Sequence, residues 1–228
     1  MKLSQIFLGL SAVVLGAQAN AAIVVQYGTA GSTTSLAPVI ADSGVTADNL
    51  EAGPGIDVNN FSTFNFGNWD PANTSFADAV ADDEFWTFGF DALTDISLTT
   101  MDIRLDRSST GPDDFEIRAT VNGANEVSIL THDYNDSGAG VNFLDVDLSV
   151  IGALSAGDSV EFVLAAFNAE STAGTFDLET ITFPDGTDGI TINGEISAIP
   201  VPAAAWLFGS ALCGLTIVRK KNSQSKKF

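Results

Sequence analysis

Asp133, Asn135 and Ser137 place side-chain oxygens at alternate positions, and Gly138 follows with the freedom for a sharp turn. That is the first half of a calcium loop. The twelfth position is Leu144 rather than a bidentate glutamate, so the stretch is not an EF-hand. It reads first as a polar hairpin loop and second as a calcium site. Asp185-Gly186-Thr187-Asp188-Gly189 reads in the same order, a turn before a metal loop. His132 is the single histidine, and no G-x-S-x-G elbow accompanies it, so a serine triad has no support. Zinc is poorly served without further histidine or cysteine ligands. A glycosidase needs two carboxylates at a set separation, but among 29 acids any spacing can be found. Trp69, in a loop between Asn68 and Asp70, is the best candidate for an exposed sugar-stacking ring. Trp86 is in phase with Phe88 and Phe90 and belongs to a core. Calcium is the one cofactor that these residue types admit, and no catalytic constellation emerges.

The charge distribution narrows the partners. Residues 20–199 hold all 29 Asp and Glu against Arg104, Arg107 and Arg118, a net charge of −26 by difference, and no lysine. Such a surface repels nucleic acid and anionic lipid. It favours divalent cations or basic partners, and it also serves plain solubility. The single cysteine, Cys213, lies outside this stretch, so the domain has no disulfide and depends on its core. At about 180 residues it is long enough to bury one.

The two ends carry addresses. Lys2, the apolar run Ile6–Ala17 and the Ala17-Gln18-Ala19 site make a secretory signal peptide over residues 1–19, with cleavage after Ala19 or two residues later. Pro200-Val201-Pro202 precedes 16 uncharged residues, Ala203 to Val218, and then Arg219-Lys220-Lys221. As a helix those residues span about 24 Å, short of a hydrocarbon core of about 30 Å, and the basic residues can snorkel across the difference. The basic cluster should stay cytoplasmic. The expectation is one C-terminal transmembrane helix with a basic end at residues 219–228.

This tail resembles the PEP-CTERM sorting signal of Gram-negative bacteria. Pro200-Val201-Pro202-Ala203 followed by Ala204-Ala205-Trp206-Leu207-Phe208-Gly209-Ser210 is similar to the VP-x-PA variant. Val201 replaces the glutamate of the name-giving triplet, and Ile199 stands where many members have valine. The resemblance covers residues 200–228. It implies recognition by an exosortase-type processing enzyme, passage through the inner membrane and delivery to the cell surface or outside. The stretch Met101–Gly123, with Arg104 to Pro112, resembles a phrase that recurs in other ectodomains of this class. Thr175–Ile181 resembles the last-but-one strand of such domains and of jelly-roll carbohydrate-binding modules.

Between the ends, period-two alternation predicts strands. They fall at Ala22–Tyr27, Phe61–Phe66, Glu84–Asp91, Thr94–Asp106, Asp114–Val121, Glu126–Thr131, Val141–Val150, Asp158–Phe167, Thr175–Phe183 and Gly189–Ala198. The apolar phase slips near Thr99-Thr100, which predicts a bulge. Asn122-Gly123 predicts a hairpin turn. Asp158–Phe167 is apolar on both faces and should be central. Leu144, Val146, Leu148 and Val150 should point inward. Residues 28–60 and 67–83 read as loops, with no amphipathic helix. The expected fold is all-β, an antiparallel β-sandwich of jelly-roll form over residues 20–199.

Three functions compete. The first is a non-enzymatic surface or matrix protein acting by adhesion or association with extracellular polysaccharide. The second is a calcium-dependent carbohydrate-binding jelly roll, and a glycosidase is the weakest.

Overall fold

The computed structural model of the protein describes residues 21–31, 33–59, 63–135, 140–181 and 189–197. Alternating apolar residues build the strands in chain order. They are β1 (Ala22–Tyr27), β2 (Ser35–Leu36), β3 (Pro38–Ala41), β4 (Val45–Ala47), β5 (Leu50–Ala52), β6 (Asp57–Val58) and β7 (Phe64–Gly67). A short helix, α1 (Phe76–Ala81), leads to β8 (Phe85–Ala92), β9 (Ile96–Arg107), β10 (Pro112–Val121), β11 (Ala124–Asp133) and β12 (Val141–Asp147). A 3-10 turn, Ser149–Ile151, precedes β13 (Ala153–Leu154), β14 (Ser159–Ala169), β15 (Phe176–Leu178) and β16 (Ile190–Ile196).

The strands form two antiparallel sheets. The first is organised on β9, which pairs with β16 and β15 end to end along one edge and with β13 and β12 along the other. Beyond that first edge it continues from β16 through β1 and β3, and from β15 through β7 and β6. The second runs β11-β10-β14-β8-β5-β2, with β4 also on β8. Their inner faces meet in one aromatic core. Trp86 of the second sheet packs at 5.2 Å on Phe64 and 5.3 Å on Phe176 of the first. Tyr27 packs on Phe88 and donates its hydroxyl to the Gly89 carbonyl across the sandwich, 3.0 Å. Burial therefore pushes the Tyr27 phenol above its usual range.

Several expectations hold in detail. Trp86, Phe88 and Phe90 share the buried face of β8. The phase slip in β9 is a register shift at Thr99, opposite Asn193 and Gly194 of β16. Asn122 and Gly123 both have positive φ, 53° and 67°, the conformation of a tight hairpin turn between β10 and β11. β14 lies between β10 and β8, and α1 covers its outer side chains Val163, Ala165 and Phe167.

Others need correction. Residues 28–60 contain five short strands, β2–β6, too brief to show a period. The 67–83 loop contains α1, capped by Ser75, whose side chain accepts from the Asp78 amide. With only Phe76 and Ala79 buried, it carries no readable amphipathic stripe. Leu144 and Val150 are exposed rather than inward. The register of β12 shifts between Phe143 and Val146, Asp145 takes a φ of 53°, and the chain leaves the sheet at the 3-10 turn. Asn60 to Ser62 and residues 182–188 lie outside the described residues, so the Phe61 and Phe183 ends of two expected strands do too.

Candidate binding surface

The outer face of the second sheet gathers side chains that the sequence left scattered. Asp133 on β11 lies opposite Asp114 on β10, and Asp114 lies opposite Phe167 on β14. Around this row is a cavity of about 250 Å³ lined by Asp114, Phe115, Thr131, His132, Asp133 and Phe167. Asn168 donates to Asp114 Oδ2 and holds that carboxylate in place. His132 points to the other side of its strand, where its ring meets Tyr134 at 4.7 Å and Phe143 at 4.9 Å. Burial lowers the His132 pKa, against the pull of Asp133 and Asp114. A neutral imidazole set among aromatic rings is a packing residue. What remains toward solvent is a carboxylate pair beside a phenyl ring, which can accept hydroxyl hydrogen bonds and offer an apolar wall.

A second groove, about 300 Å³, is lined by Asp48, Asn49, Glu51, Thr87, Phe88 and Glu161. Burial, then the neighbouring charges of Asp91 and Glu51, raises the Asp48 pKa. A third, about 210 Å³, lies on the first sheet between Thr63, Arg104, Glu179 and Thr180.

All three arginines of residues 20–199 are engaged with carboxylates. Arg104 Nε donates to Glu179 at 2.8 Å, Arg107 to Asp113, and Arg118 to both Glu116 and Glu126. Arg118 also lies 4.0 Å over the Phe76 ring, between α1 and β10. Its guanidinium is held well above the ordinary range, first by Glu116. Burial raises the Glu116 pKa, but hydrogen bonds from Arg118 and Ser128 outweigh it and leave that carboxyl below the usual range. The cationic charge is thus spent locally, and the outward field is acidic.

Trp69 is not a stacking platform. It is fully buried, its Nε1 donates to the Phe66 carbonyl at 3.0 Å, and its edge packs 5.8 Å from Phe176. Asn68, in a left-handed conformation with φ 67°, turns the chain there so that the ring enters the core. Asp133 and Asn135 form a compact polar turn: Asp133 Oδ1 accepts from the Asn135 amide at 2.7 Å, and Asn135 Nδ2 donates to the Asp133 carbonyl. Ser137, the third expected calcium ligand, lies outside the described residues. Among the described residues no three Asp, Glu, His or Cys side chains converge as a metal group. Ala17, Ala19, Pro200, Val201, Pro202, Ala203, Arg219, Lys220 and Lys221 also lie outside them. No helix among the described residues is long and apolar enough to cross a membrane.

A row on the first sheet, Asn65, Asp177 and Asp106, was not anticipated. The alternation of Phe176 and Leu178 does send Asp177 outward, but nothing local names its neighbours.

The fold defines an all-β protein of two antiparallel sheets with an acidic exterior. No family model matches the chain, and no curated protein matches it. Among solved structures it is similar to a family two carbohydrate esterase from Cellvibrio japonicus, at 9% sequence identity and a TM-score of 0.32, over 80% of this chain. The chain spans 37% of the length of that structure. A likeness this distant carries nothing about activity.

Proposed function

We propose that this is an exported, non-enzymatic surface or matrix protein, a jelly-roll-like β-sandwich that associates with extracellular polysaccharide. In this reading an exosortase-type enzyme recognises Pro200-Val201-Pro202-Ala203, after the inner membrane has held the tail. The observation that carries the reading is the pairing of the first strand with the last. Ala22 lies opposite Gly194, and Ile196 ends β16 beside it. A domain whose entry and exit strands are neighbours is held at one end of one sheet. Asp133 lies opposite Asp114, and Asp114 opposite Phe167, at the far end of β10 from the Asn122-Gly123 turn. That arrangement suits display from a tether.

The test is cell fractionation with mass spectrometry of the C-terminal peptide. A new terminus near Pro202, in protein found outside the inner membrane, is the expected result. An intact tail ending at Phe228, confined to the inner membrane, overturns the sorting reading.

The Asp133-Asp114-Phe167 row favours a second reading, a carbohydrate-binding module in which calcium participates. Asp114→Asn combined with Asp133→Asn should weaken retention on neutral polysaccharide in the presence of calcium at least tenfold. Equal retention of both proteins removes this groove as the contact.

A further inference from the structure

We propose that Thr191 and Gln26 join in a side-chain ester bond that locks the first strand of the domain to the last, with Asp102 as the base. The three residues form one row across three adjacent strands. Thr191 of β16 is directly opposite Gln26 of β1 on one side and Asp102 of β9 on the other. Their chain neighbours Val25, Tyr27, Ile190, Ile192, Met101 and Ile103 are fully buried in the core, so alternation puts the three side chains together on the outer face.

The electrophile and the nucleophile are already in contact. Gln26 Nε2 donates to Thr191 Oγ1 at 3.0 Å. Gln26 is 8% exposed and Thr191 3%. An ester between them runs Cβ–Cγ–Cδ–Oγ1–Cβ, which spans about 5 Å, and directly opposed residues hold their Cβ atoms about 4.5–5.5 Å apart. The bond therefore closes without moving either strand. Because Oγ1 accepts from the amide, its own hydrogen is left for another acceptor, and Asp102 is the carboxylate on the other side of β16.

The irregularity in β12 holds that carboxylate in place. The register shifts between Phe143 and Val146, Asp145 takes a φ of 53°, and its amide donates to Asp102 Oδ1 at 2.7 Å. A left-handed aspartate in a strand is a costly conformation, and here it aims one N–H at one carboxylate. Asp102 Oδ2 lies 3.5 Å from Nδ2 of Asn193, two residues along β16 from Thr191. The carboxylate is thus turned toward β16, within reach of the hydroxyl directly or through one water.

The step needs only these groups. Asp102 takes the Thr191 hydroxyl proton, and Oγ1 attacks the Gln26 amide carbon, Cδ. The Cδ–Oγ1 bond forms and the Cδ–Nε2 bond breaks. Nε2 leaves as ammonia, carrying the proton that Asp102 returns to it. No oxidant, reductant or second substrate is consumed. Burial of both partners then keeps water from hydrolysing the ester. The link ties β1 to β16 where the two strands otherwise share hydrogen bonds alone, so a pull on either end of the domain no longer peels them apart.

The test is intact mass spectrometry of the full chain, followed by peptide mapping. The protein should be about 17 Da lighter than the sequence between its termini requires, the loss of one ammonia. A peptide holding Gln26 should be joined to one holding Thr191, and alkaline hydroxylamine should separate them. Thr191→Val and Gln26→Met should each keep the full sequence mass, and Thr191→Ser should still cross-link. Asp102→Asn keeps an acceptor for the Asp145 amide and should slow ammonia release from freshly folded protein at least tenfold. If a variant fails to fold, the peptide map of the unaltered protein decides alone. Unlinked peptides in that map, or an unchanged rate in Asp102→Asn, overturns the proposal. A loss of ammonia that survives in Thr191→Val belongs to a succinimide at Asn122-Gly123 or Asn193-Gly194 and overturns it equally.

Discussion

Arg107 is buried at the end of β9 and pairs with Asp113 at the start of β10. Its Nε and Nη2 donate to the carbonyls of Ser108 and Ser109, each at 3.0 Å. One planar guanidinium therefore satisfies both the carboxylate and the turn it closes. This gives a physical reason for the Arg104 to Pro112 stretch that the sequence singled out: the turn is built on a buried cation. Arg107→Ala should lower stability by about 3–5 kcal/mol, because it removes the buried cation facing Asp113 and leaves two carbonyls without their donor. Arg107→Lys should recover little of it, since an ammonium cannot reach all three acceptors in the fork geometry. Urea unfolding of the three proteins measures this.

Trp69→Ala should cost about 3–5 kcal/mol in the same assay, the loss for a large buried aromatic. Retention on polysaccharide of the protein that remains folded should not change. A selective loss of retention without loss of stability would return Trp69 to the surface.

The stability of the protein should rise as the pH is lowered from neutrality. Asp177 holds its proton to about pH 7 in the folded state, against 3.8 for an ordinary aspartate. Between those values the folded chain binds more protons than the unfolded chain, so unfolding becomes harder as pH falls. Asp106, Glu84 and Asp48 are raised by burial and act in the same direction, while Glu116 is lowered and opposes them. Asp177→Asn should flatten the profile between about pH 4 and 7 and stabilise the protein near neutrality. Thermal unfolding across that range checks it.

Gly111 and Gly174 cross each other's backbone. A Cβ on Gly111 would fall 2.2 Å from the Thr175 carbonyl oxygen, and one on Gly174 would fall 2.1 Å from that of Thr110. Each alanine substitution should cost about 1–3 kcal/mol through forced backbone shifts. The double variant should cost less than the sum, because both changes open the same crossing. Denaturation midpoints of the two single variants and the double decide it.

By itself the sequence determined the strands whose alternation runs for eight or more residues, such as Glu84–Asp91 and Asp114–Val121, which the structure has as Phe85–Ala92 and Pro112–Val121. It also determined the slip at Thr99 and the turn at Asn122-Gly123. Each of these is written in residues a few positions apart, through side-chain periodicity or a backbone conformation that asparagine and glycine accept. The acidic character of the surface was equally plain from composition. Only the tertiary structure decided that Trp69 turns inward, because that depends on a left-handed Asn68 and on Phe176, more than 100 residues away. Short strands such as β5 exist only because β8 offers an edge to pair with. The rows Asp133-Asp114-Phe167 and Asn65-Asp177-Asp106 were beyond the sequence for the same reason. Which side chains become neighbours across a sheet is set by strand pairing and register, and the partners come from distant parts of the chain.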